Sequence, residues 1–358
     1  MKRLFAFAGL LAGSALLAWP GQVRAAEPGL DVDEPLRFGS ISIYSENDLY
    51  LGGTDENYSN GFKLSLLTTR LASFTEDPVP APVQKLARAL GEWLPSGPDY
   101  KLGLSLGQNL YTPSDIHTTE AQPDDRPYAA WLYVGAAFQV YAPPKRFAEG
   151  KGSIASLDVV EVTFGMIGPA ALGRQVQNNV HNLFGIKTAR GWHHQLRNEP
   201  GLNLVYERRY RISTETFRDQ RGWALDLIPH AGFSLGNIFT YANAGAELRG
   251  GLRLPDDFGT NLIRPTGVSG SLRRPRFNAF AFAAFDVRAV ARDATLDGNT
   301  WRDSPSVKRE TVVADLHGGL SVGFRHWQFT YTQALRTKEF KNQSDESVFG
   351  SISVTLHY

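Results

Sequence analysis

The sequence predicts an all-β fold: a closed antiparallel transmembrane β-barrel of about twelve strands, with a short helix in an extracellular loop. Three observations carry that expectation. Apolar residues recur at every second position in many segments, the N-terminus reads as an export signal, and no later stretch is apolar enough for a membrane helix. The 358 residues are 42% hydrophobic and 20% charged, a folding composition rather than a disordered one. A mean hydropathy of -0.26 excludes a helical membrane bundle. It does not exclude a barrel, whose alternating strands average out as mildly polar. Gly 35 and 11% aromatic residues fit many turns and aromatic belts, and zero Cys removes disulfides, Cys-ligated zinc and thiol catalysis.

The leader comes first. Lys2 and Arg3 precede an apolar run from Leu4 to Trp19, and Val23-Arg24-Ala25 supplies small residues at a cleavage site. The run is short for a membrane span, and Pro20-Gly21 breaks helices. Residues 1–25 are therefore expected to be a signal peptide and 26–358 the barrel domain. Cleavage after Ala25 removes three of the 37 basic side chains and none of the 36 acids, moving the net charge from +1 to -2. A nucleic-acid partner is not indicated.

Alternation marks strands near 37–46, 59–69, 101–111, 128–141, 156–167, 202–213, 222–234, 238–252, 277–291, 309–324, 326–336 and 347–358. In the last, Ile352, Val354, Leu356 and Tyr358 oppose Ser351, Ser353, Thr355 and His357. A soluble sandwich also alternates. The export signal and the terminal aromatic, which looks like the closing strand of bacterial outer-membrane proteins, favour lipid as the neighbour of the apolar face. Two insertions stand out. Residues 71–100 are Pro-rich, with an amphipathic run of Val83, Leu86, Leu90 and Leu94. Residues 168–200 hold a helix whose apolar positions are Leu172, Val176, Val180 and Phe184, with Arg174, Gln177 and His181 sharing another face.

If the first strand starts in the periplasm, the connections after strands one, three and five emerge at one rim. With Ile41 and Ile43 on lipid, Ser42, Tyr44, Glu46 and Asp48 turn inward, and Ser59, Gly61 and Lys63 do likewise in the second strand. Asp48, Ser59 and His181 are thus expected to meet just inside one mouth of the barrel.

The ordered motifs Ser45-Glu46-Asn47-Asp48, Tyr58-Ser59-Asn60-Gly61, Gln108-Asn109-Leu110-Tyr111-Thr112-Pro113, Asp125-Arg126-Pro127-Tyr128, and Gly168-Pro169 followed by Gln175-Val176-Gln177-Asn178-Asn179-Val180-His181 resemble the outer-membrane lipid A 3'-O-deacylase family. The similarity spans essentially the whole mature chain. It implies a twelve-stranded barrel in the bacterial outer membrane that hydrolyses an acyloxy ester of lipid A, in the outer leaflet, with calcium. It also implies site residues Asn47, Asp48, Ser59, Gln177 and His181. The expected partner is lipopolysaccharide, met by a membrane-embedded monomer.

The residue types suit that chemistry. A neutral imidazole accepts a proton near pH 7, making His181 the candidate general base. The Asp48 carboxylate, with Glu46 as a second candidate, suits a hard cation that stabilises an oxyanion. Ser59 as nucleophile and water as nucleophile both remain open, and the missing Gly-x-Ser-x-Gly elbow favours water. The family pattern has a metal-holding Glu six residues after the His, where this chain has Lys187; Glu46 or Glu199 are the candidate substitutes. A basic pair after the Tyr-Thr-Pro motif is also missing, with Ser114-Asp115-Ile116-His117 in its place. These departures keep two other readings in view, a catalytically silent barrel serving as pore, adhesin or structural protein, and a phospholipase. Asp124, Asp125 and Arg126 read as a solvated ion cluster, and His193-His194 stays unassigned.

Overall fold

The structure is a computed structural model that describes residues 35–48, 50, 57–147, 152–214, 222–260 and 275–358; the expected signal segment lies outside them. Twelve strands follow in chain order: β1 (Phe38–Asn47), β2 (Asn57–Thr68), β3 (Asp99–Thr112), β4 (Ala129–Arg146), β5 (Gly152–Ile167), β6 (Glu199–Thr214), β7 (Trp223–Gly236), β8 (Phe239–Leu252), β9 (Phe277–Asp293), β10 (Val312–Phe324), β11 (Trp327–Arg336) and β12 (Ser347–His357). Each pairs antiparallel with its sequence neighbours. Pairing of β1 with β12, from Ser40↔His357 to Asn47↔Gly350, closes the barrel. An even count brings both ends of the sheet to one side, the periplasmic end of an outer-membrane barrel, and the connections after β1, β3 and β5 to the opposite rim.

Period two assigns the faces. On β10, Val313, Asp315, His317 and Ser321 are buried while Val312, Leu316, Leu320, Val322 and Phe324 are exposed. On β9, Asn278, Phe280, Phe282, Ala284 and Asp286 are buried while Phe277, Phe285 and Val287 are exposed. An outer surface this apolar is matched by lipid tails rather than water.

Side chains fill the interior. Lys63 meets Glu161 at 3.8 Å with neither side chain exposed. Near the rim, Tyr111, Ala129, Trp131, Tyr133, Ile167, Ala334 and Phe349 form an apolar cluster joining strands from opposite walls, so these side chains must point into the lumen. At the periplasmic end residues 255–260 fold back inside the wall. Arg211 donates to Asp256 at 2.9 Å, Arg249 to Asp257, Arg209 to the Phe258 carbonyl at 3.2 Å, and Thr260 N–H to Glu247 at 2.9 Å. Phe258 packs on the inward-facing Ala137, Leu157 and Val159.

Two helices decorate the wall: α1 (Ala81–Leu90) in the connection after β2, and α2 (Gly173–Phe184) in the connection after β5. A four-residue turn of helix, α3 (Ala294–Asp297), follows β9 and is capped by Asp293, whose side chain accepts from Thr295 N–H.

Candidate active site

Twelve residues of helix are marginal alone, so α2 depends on what it packs against. Its buried stripe is Gly173, Gln177 and His181, four residues apart. A Cβ on Gly173 would stand 2.6 Å from the Ala130 side chain and 2.6 Å from the Trp192 ring, so only glycine lets the helix approach this closely. Val176 packs into a cluster of Leu110, Ile116, Tyr128, Ala130, Ala171, Ala189 and Trp192 with Leu132, and Gln108 donates to the Ala171 carbonyl at 2.6 Å.

Parity then decides the side. Tyr111, Ala129, Trp131 and Tyr133 face the lumen, so their strand neighbours Leu110, Ala130 and Leu132 face outward. Helix α2 therefore lies on the outside of the wall, and Gln177 and His181 are pressed between helix and barrel. The expectation of a site just inside the mouth is corrected. Alternation shows two faces but not which of them a returning loop covers. Arg174, expected beside Gln177 and His181, is exposed, as are Leu172 and Leu183 on the helix's outward side.

Local geometry sets the histidine. Gly185 ends α2 at φ 71°, a left-handed turn, and Ile186 N–H donates back to the His181 carbonyl at 2.8 Å. The chain so reversed brings the Lys187 carbonyl 2.7 Å from His181 Nδ1. A carbonyl only accepts, so Nδ1 carries the proton and the basic nitrogen of the neutral ring is Nε2. Gln177 is fixed through its oxygen, which accepts from Trp192 Nε1–H at 2.7 Å, while its buried Nε2 has no hydrogen-bond partner. Such a donor is set to meet an acceptor brought by a ligand. Trp192 and the Lys187 carbonyl were not singled out from the sequence; the Trp in the same returning loop was the only visible signal.

The other expected residues divide between faces. Asn47 sits at an outward position of β1, half-buried, opposite Asn60 and Gly350. Asp48 follows it at the turn and is buried. Glu46 faces inward and lines an interior cavity of about 90 Å³ with Asn109, Tyr111, Arg336 and Glu339. Its expected role as a metal ligand beside Asp48 is therefore corrected, because the wall separates it from His181. Ser59 lies in β2 where the pairing with β3 slips by one residue between Tyr58 and Asn60; its side chain lies outside the described residues. Glu199 is no substitute ligand either, since it accepts from Thr300 N–H at 2.9 Å and Trp301 N–H at 3.2 Å and so holds the connection after β9. Lys187, whose carbonyl holds the histidine, is itself exposed. Among the described residues no three His, Cys, Asp or Glu side chains converge on a metal position. Asp48 and the Asn47 amide are oxygen donors suited to a hard cation, with further oxygens to come from backbone, water or substrate.

Arg126, expected in a solvated cluster, is instead fully buried. It donates to Glu339 at 3.1 Å and Thr295 at 3.3 Å, tying three rim connections together. From Glu339 the chain of charges continues inward: Arg336 at 3.4 Å, Asp315 at 2.7 Å from Arg336, Arg288 at 3.1 Å from Asp315, with His230 2.8 Å from Asp286 beyond. Burial alone would raise the Glu339 carboxyl, but Arg336 and Arg126 hold it below the usual carboxylate range. Asp125 is a loop brace, accepting from Ser114 N–H at 2.8 Å. The His193 and His194 rings pack on each other, and His194 meets the Thr119 carbonyl at 3.2 Å.

Residues 10–358 match the family described as "Outer membrane protein LpxR". The chain belongs to the LpxR family. LpxR from Salmonella typhimurium is similar in structure, with a TM-score of 0.66 at 19% identity over 89% of this chain and 100% of that one. That likeness establishes a shared fold. The translocator domain of the autotransporter NalP from Neisseria meningitidis aligns over 91% of this chain and 90% of its own, but at 9% identity and a TM-score of 0.40. A comparison with curated protein sequences finds no match. Membership in LpxR and the lipid-facing barrel place the protein in the bacterial outer membrane.

Proposed function

We propose that the protein is a lipid A deacylase that hydrolyses a 3'-O-linked acyl ester from the outer leaflet, with His181 as general base. The observation that carries this reading is the seat of His181, buried against the outer wall with its tautomer set by the Lys187 carbonyl. A lipid in the outer leaflet reaches that wall laterally, without entering the barrel. His181 Nε2 takes the proton of the attacking water, the Gln177 amide N–H donates to the ester carbonyl oxygen as it gains negative charge, and collapse of the adduct breaks the acyl C–O bond as His181 returns its proton to the departing sugar oxygen. The Trp192 bond holds that amide in place. Ser59 as an alternative nucleophile stays within the proposal as the second route.

Calcium belongs to the same proposal. Asp48 and Asn47 would hold it, and the bound cation would supply charge stabilisation for the developing oxyanion. The leader at 1–25 and action as a monomer complete the reading. To test it, the purified protein is incubated with lipid A and, separately, with phospholipid, each with calcium or with chelator, and the masses of released fatty acids are measured. Release of one acyl chain from lipid A, lost with chelator, is the expected result. Release from phospholipid alone gives the phospholipase reading, and no release from either gives the silent barrel.

A further inference from the structure

The outer wall is covered from both ends on the same side. At the periplasmic end the connection carrying α1 folds up against the barrel, and Leu71, Phe74, Val79 and Ala87 pack on Leu102, Phe138, Val140 and Val160. By parity these last four face outward from β3, β4 and β5. At the opposite rim α2 covers Leu110, Ala130 and Leu132. Among the described residues, the large apolar side chains left exposed on β3, β4 and β5 form a single row of cross-strand partners, Leu106↔Val134↔Phe164, exposed by 47%, 55% and 57%. The row continues to Leu202 at 55% on β6, a strand that also exposes Tyr210 further toward the periplasm.

The outward side of α1 is not a lipid surface. It presents Lys85 and Arg88, and Trp93 just beyond the helix is 61% exposed. Basic and Trp side chains of this kind sit at headgroup level, where the cation keeps its water and the indole its two-sided environment. Across the barrel no helix among the described residues intervenes, and β10 exposes apolar side chains from Val312 to Phe324. At ~3.3 Å per residue that stretch is ~40 Å long, or ~30 Å along the membrane normal at a tilt of ~40°, enough for a full hydrocarbon core. From Leu104 to Gln108 on β3 the same arithmetic gives ~13 Å along the strand and ~10 Å along the normal.

We infer that the sector of wall from β3 to β5 thins the bilayer beside α2. Lipid tails that meet ~30 Å of apolar wall on one side of the barrel meet about a third of it on the other, and they tilt and splay to match. Periplasmic headgroups are drawn up to α1 while outer-leaflet headgroups settle around α2. Lipid packing is thus loosest next to His181. The inference stands on the membrane placement of the barrel and holds whatever reaction His181 serves.

Because the chain has no cysteine, single-cysteine variants carry one spin label each. Val134→Cys and Ala89→Cys probe the short sector, with Lys85→Cys as a second α1 position, and Leu316→Cys, Leu320→Cys and Val322→Cys probe β10. Each is reconstituted in phosphatidylcholine vesicles, and relaxation by dissolved oxygen is compared with relaxation by a water-soluble nickel chelate. Expected are oxygen-dominated labels at all three β10 positions and at Val134, with both α1 labels relaxed several-fold more by the nickel chelate. Oxygen-dominated labels at Ala89 and Lys85, matching Leu320, overturn the inference, since α1 would then lie within hydrocarbon.

Discussion

The two faces of the wall at β3 and β4 differ in kind. Inward, the rim is crowded with ionisable side chains: Arg126, Glu339, Arg336, Asp315 and Arg288 in an unbroken sequence of pairs. Outward, beneath α2, the histidine is held by a backbone carbonyl and the amide by an indole. Density of charge is therefore a poor guide to chemistry here. The inner charges compensate each other and hold the loops; the outer pair is held by neutral groups and leaves the Gln177 amide N–H without a hydrogen-bond partner.

The comparison breaks most visibly on the inside. Arg336→Met removes a cation shared by Asp315 and Glu339 and should cost ~3 kcal/mol or more of stability, read as a lower temperature for loss of the folded gel band. The pH sense follows from Glu339. Its carboxyl is held low in the folded barrel, so its contribution is complete above the unfolded value near ~4.3 and is lost as pH falls through the folded value. Without Arg336 that loss should begin at higher pH, and an acid profile identical to wild type would sink the assignment.

On the outside, His181→Ala should lower the catalytic rate by about a hundredfold or more with the folded gel band unchanged. An unchanged rate would return His181 to packing. Gly173→Val should push α2 off Ala130 and Trp192 and lower the rate by about tenfold, while the acid profile of the inner charges stays as in wild type. The smallest effect is expected at Lys187. Its side chain is exposed, so Lys187→Glu should change both the rate and the calcium requirement by less than about twofold. A clear drop in the calcium requirement would mean that the ammonium group reaches the metal after all. Asp48→Asn, by contrast, should raise the calcium needed for activity.

Strands were legible because alternation is local: Ile352, Val354 and Leu356 face lipid whatever the rest of the chain does. So was α2, from the four-residue spacing of Leu172, Val176, Val180 and Phe184, although the face it buries is that of Gln177 and His181. What the sequence could not show was contact between distant elements. Leu110 and Ala130 read like any lipid-facing residues until α2 covers them. Arg126 reads as a surface charge until Glu339, more than two hundred residues away, is folded beside it. Glu46 and Asn47 are adjacent in the motif, yet a strand sends neighbours to opposite faces.

The segment at residues 255–260, folded back among Arg209, Arg211 and Arg249, has an electrical consequence. With Phe258 seated on Ala137, Leu157 and Val159 and three guanidiniums committed to Asp256, Asp257 and backbone carbonyls, the described residues of this segment narrow the lumen at this end. Planar bilayers holding the protein should show no steady single-channel current, so a cell could carry many copies without making its outer membrane leaky to salts, bile acids or small antibiotics.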